Sequence, residues 1–381
     1  MKVLHIANWY PNPWSAIEGN FIRDQIRLFT KEVPGQAVVV KVRHDRDFLL
    51  RPRILDLGEG VTGYFVLTRL SEGGRAAAWL TTILLLWVLI KYQAWRYSAL
   101  HFHIANPLLR NVSLWSWFVR RPILISEHWS AYHDNFYLPS DSPALAPLRR
   151  PFAHRFPVLA VSNALLNDIR KFSGRDDFPA HVIPNIVPLH GTSQNTTEPP
   201  LLFAVNNWVA IKDPFPMLEG LASAAADGHE FSLVIGGAGP LIERMEAFVQ
   251  GSALAGRTNF LGWMTKVEIS EELAKANGYL FSSRYETFSI ACAEALGAGV
   301  PLIGPRLEAI AEYAGPDEWV QVSNRDENNW ADAVVGFLQR NKAAEFDPAA
   351  IAARAEKQFN PSVIRQRYRE AISQTLSEDV Q

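Results

Sequence analysis

Short apolar runs and longer amphipathic stretches alternate along the chain from end to end. Residues 3–7 form an apolar run that predicts a buried first strand, and residues 20–30 an amphipathic helix. Further strands are predicted at 37–42, 63–68, 99–104, 123–126, 158–161 and 181–183, with helices at 76–97 and 163–172. Residues 184–200 turn to Pro, Asn, Thr, Gly and His and read as a linker. Beyond it, strands are predicted at 201–205, 231–235, 258–261, 278–283 and 300–303. Helices at 214–226, 241–249, 266–276, 286–297, 307–314 and 330–340 alternate with them. A last helix at 362–375 follows Asn360-Pro361, with Ser362 placed to cap it. Such strand-helix-strand repetition implies parallel sheets wrapped by helices, here two doubly wound α/β domains with a cleft between them.

At 381 residues the chain has room for about two domains, and 48% hydrophobic residues can fill two cores. A formal net charge of −2 argues against the basic footprint of a dedicated nucleic-acid binder. The charge is uneven. Residues 1–190 carry 22 Lys plus Arg against 14 Asp plus Glu, so from totals of 37 and 39 the remainder carries 15 against 25. Arginines cluster at Arg120-Arg121, at Arg149-Arg150 with Arg155, and at Arg170-Lys171. A basic first half suits anionic lipid headgroups or a pyrophosphate-linked acceptor, with scattered solvated charge as the alternative. The single cysteine, Cys292, cannot form an internal disulfide, which fits a reducing cytoplasm. The run from Met1 to Ala7 is too weak for a signal peptide. Residues 76–90 hold no charge between Arg75 and Lys91. As a helix they span about 22 Å, short of the ~30 Å hydrocarbon core. A buried core helix is the first reading, and shallow insertion at the inner face of the membrane the second.

Chemistry concentrates where the predicted strand at 278–283 runs into the predicted helix at 286–297. A strand-to-helix turn gathers unpaired backbone N–H groups and the positive end of the helix dipole, which suits a phosphate. Glu286 stands at this turn and Glu294 further into the helix, so two acceptor side chains flank the cradle. Carboxylates repel phosphate, and their natural partners are hydroxyls on either side of it, as in a nucleotide sugar. Ordinary helix-start acids stabilised by the dipole are the alternative. The stretch continues as Ala295-Leu296-Gly297-Ala298-Gly299-Val300-Pro301-Leu302-Ile303-Gly304, a helix ending at glycines and feeding an apolar strand. A Glu, seven residues, Glu-Ala, then a small residue and Gly-Val-Pro resembles the signature of retaining family 4 glycosyltransferases. These are group 1 enzymes with the GT-B fold of two Rossmann-like domains and an interdomain cleft.

The resemblance implies roles for particular residues. Glu286 would position hexose hydroxyls and Glu294 the ribose, with Phe288, Ser289 and Ile290 completing the donor site. Lys212, in Asn206-Asn207-Trp208-Val209-Ala210-Ile211-Lys212-Asp213, would carry the donor diphosphate at the mouth where open parallel sheets bind ligands. Asn207 stands where the family pattern has an arginine. An amide donates hydrogen bonds without charge, which leaves more of the leaving-group stabilisation to Lys212 and the helix start. Gly239, in Gly236-Gly237-Ala238-Gly239-Pro240, matches the family's glycine turn near the nucleotide, with Pro240 expected at the first helical position. Trp263 lies in a run, Gly262-Trp263-Met264, resembling the loop that meets the base. Gly19, in Glu18-Gly19-Asn20-Phe21, matches a loop whose glycine permits close approach of a phosphate or acceptor. His128, after strand 123–126, matches a histidine that contacts the donor sugar and joins Glu286 and Lys212 as catalytic.

The spacing of His101, His103, His128 and His133 fits no common metal motif, so no metal is expected, and no cofactor beyond a UDP- or GDP-sugar co-substrate. Asp45-Arg46-Asp47 is an Asp-x-Asp of the kind that holds a divalent cation in GT-A enzymes, the rival fold; the two-domain alternation speaks against it. The implied protein is a retaining, metal-independent hexosyltransferase. It would move a sugar to a glycan or lipid-linked acceptor in bacterial cell-surface polysaccharide or lipopolysaccharide synthesis. Residues 1–190 would form the acceptor-side domain, 361–381 would pack back on it, and 191–360 would bind the donor. A nucleotide-sugar binding subunit and a GT-B epimerase of free nucleotide sugars are the alternatives.

Overall fold

A computed structural model describes residues 1–46, 52–188 and 198–378. The chain divides into two units, Met1–Ile186 with Pro361–Gln381, and Val187–Asn360. The boundary expected at 190 falls outside the described residues.

The first unit holds β1 (Val3–Ala7), β2 (Gly35–His44), β3 (Arg53–Asp56), β4 (Val61–Thr68), β5 (Ala99–His103), β6 (Ile123–Glu127), β7 (Val158–Ala160) and β8 (Ala180–Val182). They run in the order β3-β4-β2-β1-β5-β6-β7-β8. All pairings are parallel except β3 with β4. Every residue of β1, β5 and β6 is buried, as a sheet covered on both faces requires. Leu85 and Val88 of the helix Arg75–Lys91 pack on one face. On the other, Ile364, Tyr368 and Ile372 of the helix Pro361–Glu378 pack with Phe29 and Leu124. The pattern of apolar runs did not predict β3, because a short edge strand with charged ends carries no such run. The helix expected over 76–97 ends at Lys91, where Gln93 takes φ 51° and a short 3-10 turn, Ala94–Arg96, follows.

The second unit holds β9 (Leu201–Asn207), β10 (Ser232–Ala238), β11 (Thr258–Gly262), β12 (Gly278–Leu280), β13 (Leu302–Pro305) and β14 (Trp319–Val322). Their order is β11-β10-β9-β12-β13-β14, every pairing parallel. The order reverses between β9 and β12, and ligands of open α/β sheets bind beyond the carboxyl ends of the strands at such a reversal. β9 leads to Lys212 and β12 to Glu286. Neither β14 nor the helix Pro348–Phe359 was predicted from the sequence. The helix carries a legible start, since Asp347 accepts from the N–H groups of Ala349 and Ala350 ahead of Pro348 at its first position.

Two boundaries at the site are corrected. The strand expected over 278–283 stops at Leu280, and the helix expected from 286 begins at Ile290. Ser289, at φ 63°, breaks right-handed helical geometry and prevents backward extension. Glu294 therefore sits about one turn into the helix, roughly 6 Å along its axis.

Candidate active site

Two loops meet at the strand-order reversal of the second unit. The first leaves β9 through the 3-10 turn Ala210–Lys212, and Asp213, at φ 43°, precedes the helix Pro214–Ala226. The second leaves β12 and runs to Ser289. Lys212 Nζ donates to Glu286 Oε1 at 2.6 Å, with the two side chains 18% and 15% exposed. Ser283 Oγ donates to the same oxygen at 2.6 Å. Both bonds fall on Oε1, and a carboxylate carries a second oxygen with acceptor capacity of its own. The backbones are also tied, because Ser282 Oγ donates to the Lys212 carbonyl at 2.6 Å and Arg284 N donates to the Ile211 carbonyl at 2.8 Å. Arg284 grips Asp213 in a fork, Nε at 2.8 Å and Nη2 at 3.1 Å. These bonds fix an ammonium against a carboxylate from a residue 74 positions away.

The helix Ile290–Gly297 begins beside this pair. No side chain caps it among the described residues, and its first bond runs from Ala293 N to the Ser289 carbonyl at 3.2 Å. The N–H groups of Ile290, Ala291 and Cys292 have no acceptor within the helix, leaving an anion-binding end. Cys292, in this first turn, feels the charges of both Glu286 and Lys212, while burial pushes its thiol pKa up. Asp213 and Ser289 are non-glycine residues at positive φ on either side of the site. Such backbone costs about 1–3 kcal/mol per residue and persists only where its surroundings hold it. Tyr313 does so for Ser289, its hydroxyl donating to the Phe288 carbonyl at 2.7 Å and the Ser289 carbonyl at 3.1 Å. Phe288, expected at the donor, is buried against Tyr313 and Phe359, so its ring anchors the turn and only its backbone faces the loop. Glu294 is buried one turn below.

The ends of β9, β10 and β11 form the neighbouring wall. Gly239 takes φ 150°, and a Cβ there would lie 2.5 Å from the Trp208 carbonyl oxygen. The turn folds back so that Leu241 N donates to that oxygen at 3.1 Å. Pro240 consequently lies in the turn and not at the first helical position, and the helix expected over 241–249 starts at Ile242. Trp208 is buried and donates through Nε1 to the Gly236 carbonyl at 2.8 Å. Trp263 stands 60% exposed on the adjacent loop, and Asn207 is exposed at the end of β9.

In the first unit, a Cβ on Gly19 (φ 63°) would lie 2.6 Å from the Trp9 carbonyl carbon, so this helix entry admits only glycine. Glu18 beside it pairs with buried Lys41 and accepts from Asn12 Nδ2 at 2.9 Å. His128 is 7% exposed; Nε2 bonds Gln25 Oε1 at 3.1 Å and the ring lies 4.7 Å from that of Phe21. Burial pushes its pKa down to about 3, so it offers hydrogen bonds and no charge. Glu127, fully buried, accepts from Ala105 N at 2.8 Å and Tyr132 Oη at 2.7 Å, and burial pushes its carboxyl up to about 7.

The histidines considered together from sequence separate. His133 bonds Asp168 and His128 bonds Gln25. His101 and His103 instead join His5, with ligand nitrogens within 4.8 Å of one another. The parallel register of β1 and β5 sets His5 opposite His101, a relation no spacing along the chain displays. All three are fully buried; His101 bonds Ser126 Oγ at 2.8 Å and Tyr368 Oη at 3.2 Å. Of the Asp-x-Asp, Asp47 lies outside the described residues.

Sequence reasoning missed Ser283, Arg284 and Tyr313, which position the pair and the turn. The string Ser282-Ser283-Arg284 after an apolar strand was the only available signal.

The fold and the reversal-point site together define a GT-B architecture. A lipopolysaccharide outer core galactosyltransferase, WaaB, superposes with a TM-score of 0.71 at 15% identity, over 98% of this chain and 99% of that one. The Anabaena protein HepE, in complex with UDP and glucose, gives 0.72 at 15% identity over 98% and 100%. Residues 189–353 match the family model of glycosyl transferases group 1, nearly the whole second unit. A GDP-mannose-dependent alpha-(1-6)-phosphatidylinositol dimannoside mannosyltransferase of Mycobacterium tuberculosis is 31% identical over 111 residues. That stretch spans 29% of this chain and 28% of the mannosyltransferase.

Proposed function

We propose that this chain is a retaining family 4 glycosyltransferase that moves a hexose from a nucleotide diphosphate sugar to a glycan or lipid-linked acceptor, in bacterial cell-surface polysaccharide synthesis. The observation that carries this reading is the Lys212–Glu286 pair at 2.6 Å beside an uncapped helix start. The ammonium and the N–H groups at Ser289-Ile290 stabilise the negative charge that grows on the departing nucleoside diphosphate, where several kcal/mol of barrier can be removed. Glu286 takes hexose hydroxyls through Oε2, and Glu294 takes the ribose. A diphosphate oxygen accepts the acceptor's proton on the face the leaving group vacates, so no side chain need act as nucleophile. Buried Cys292, with its raised pKa, is not suited to that role. Lys212 and the helix dipole supply the positive charge that a metal would otherwise provide. Gly239, Asn207 and Trp263 line the nucleotide side, and Gly19 and His128 keep the roles that the family resemblance implies. The nucleotides named for the relatives, GDP-mannose for the mannosyltransferase and UDP for HepE, support a UDP- or GDP-sugar donor.

A thermal-shift screen of uridine, guanosine and adenosine diphosphate sugars tests the reading, because a bound donor stabilises the fold by mass action. The expected result is one stabilising donor that the protein slowly hydrolyses. No stabilisation by any of them would overturn it. Asn207, in place of an arginine, favours a second reading as a nucleotide-sugar binding subunit or a GT-B epimerase. Interconversion of donor epimers would select the epimerase, and binding without hydrolysis the subunit.

A further inference from the structure

The helix Arg75–Lys91 has no polar face. Ala78, Leu84, Leu85, Val88 and Leu89 pack inward. Trp79, Ile83, Trp87 and Ile90, at helical spacings of four, four and three, stand outward and 41–60% exposed. A surface helix carries charged residues on its outer face, and this one carries none between Arg75 and Lys91. A second apolar group adjoins it, with Leu114, Trp117 and Phe118 each more than half exposed. Their segment is tied to the helix by Asn111 Nδ2, which donates to Thr82 Oγ1 at 3.0 Å. Just past the helix, Arg121 Nη2 donates to the Trp95 carbonyl at 2.6 Å, and Trp95 is exposed as well. An apolar area this extensive marks an interaction surface.

Its rim is basic. Arg75, Lys91, Arg96, Arg120 and Arg121 are exposed and make no ion pair within 4.0 Å among the described residues. At the carboxyl end of the helix opens a cavity of about 630 Å³ lined by Lys2, Lys91 and Arg96 with Tyr92, Tyr97 and two glutamines, and by no acid. Lys91 Nζ lies 5.2 Å from the centre of the Trp87 ring, so the cavity and the apolar face share a wall. The helix dipole contributes about half a negative charge at that end, which three cations exceed.

We propose that this face is a membrane-docking surface, in which the tryptophan and isoleucine side chains sit at the boundary of headgroups and acyl chains and an anionic phospholipid sets its phosphate in the cavity of Lys2, Lys91 and Arg96. The helix lies on the bilayer and does not cross it. Its 17 residues reach about 25 Å, its inner side is committed to the core, and no helix of the described residues is long and apolar enough to span. Charge selects a bilayer over a second copy of this chain, since a two-fold contact through this face would set the basic rim against itself. The inference is independent of the glycosyltransferase reading.

Flotation with vesicles of phosphatidylcholine, and of equal parts phosphatidylcholine and phosphatidylglycerol, tests it on the full chain. The native protein is expected to float with the anionic vesicles, less with the neutral ones, and to be released by salt. Ile83→Ser/Ile90→Ser should lose both associations with thermal stability unchanged, because these two side chains are more than half exposed. Lys91→Glu/Arg96→Glu should weaken binding to the anionic vesicles by about tenfold or more while leaving the weak neutral association. Failure of the native protein to float, or equal binding to both vesicles, would overturn the proposal. So would a native dimer in sedimentation that the serine variant makes monomeric.

Discussion

The two units share one construction, a doubly wound parallel sheet, and place their polar groups in opposite ways. In the second unit, the loops at the strand-order reversal hold Lys212 against Glu286 near the surface, with hydrogen-bonding capacity left for a ligand. In the first, the strands and strand ends bury His5 and His101 in mid-strand and His103, Glu127 and His128 at the carboxyl ends, and burial moves each pKa toward the neutral form. On its outer surface the first unit instead exposes an apolar row, Trp79, Ile83, Trp87 and Ile90, within a basic rim. The same scaffold therefore presents a paired charge in one unit and an apolar face in the other, and loops and helix faces make the difference.

The largest expected effect falls on the clamped pair. Lys212→Ala and Glu286→Ala should each lower turnover by about 10²–10³, and the double variant should lose little more than the worse single one, because the two act as a unit. Multiplicative losses in steady-state kinetics would dissolve the pair. The first unit should respond to acid. His5 and His128 ionise near 6.5 when unfolded and only near about 3 when folded, so stability is lost as pH falls between those values. Each contributes about 1.4 kcal/mol per pH unit in that window. Glu127 acts with the opposite sign, losing stability as pH rises from 4.5 to about 7. Calorimetry from pH 7 to 4 should show the first unit melting at progressively lower temperature, and an unmoved transition would refute neutral burial. Glu294→Ala should weaken nucleoside diphosphate binding by about tenfold, and unchanged affinity by isothermal titration would remove the ribose role. The smallest effect belongs to Arg284→Ala. Its ion pair with Asp213 is largely solvent-exposed on the arginine side, and turnover should change by less than about twofold. A larger loss would make Arg284 part of the anion site.

Much of this was legible along the chain. Alternating runs located every strand of both sheets except β3 and β14, and Lys212 and Glu286 each follow a strand whose end lies at the reversal. Their direct bond was not legible, since it depends on β9 and β12 being neighbours across some seventy residues. His5 was missed for the same reason, because register between β1 and β5 is a tertiary fact. The helix Arg75–Lys91 misled differently. An all-apolar sequence has no periodicity to say which side is covered, so a core helix was the first expectation, and only coordinates reveal that half of it faces outward. β3 escaped because an edge strand with charged ends has nothing apolar to announce it.

The Lys212–Glu286 bond has one more consequence under the proposed reaction. An idle site already neutralises its own cation, so a small anion arriving alone must break the Lys212–Glu286 bond and leave the carboxylate with Ser283 as its remaining donor. A complete donor brings the replacement with it, phosphate for the lysine and sugar hydroxyls for the glutamate. Under that reaction the pair favours a molecule that carries both ends over loose phosphate.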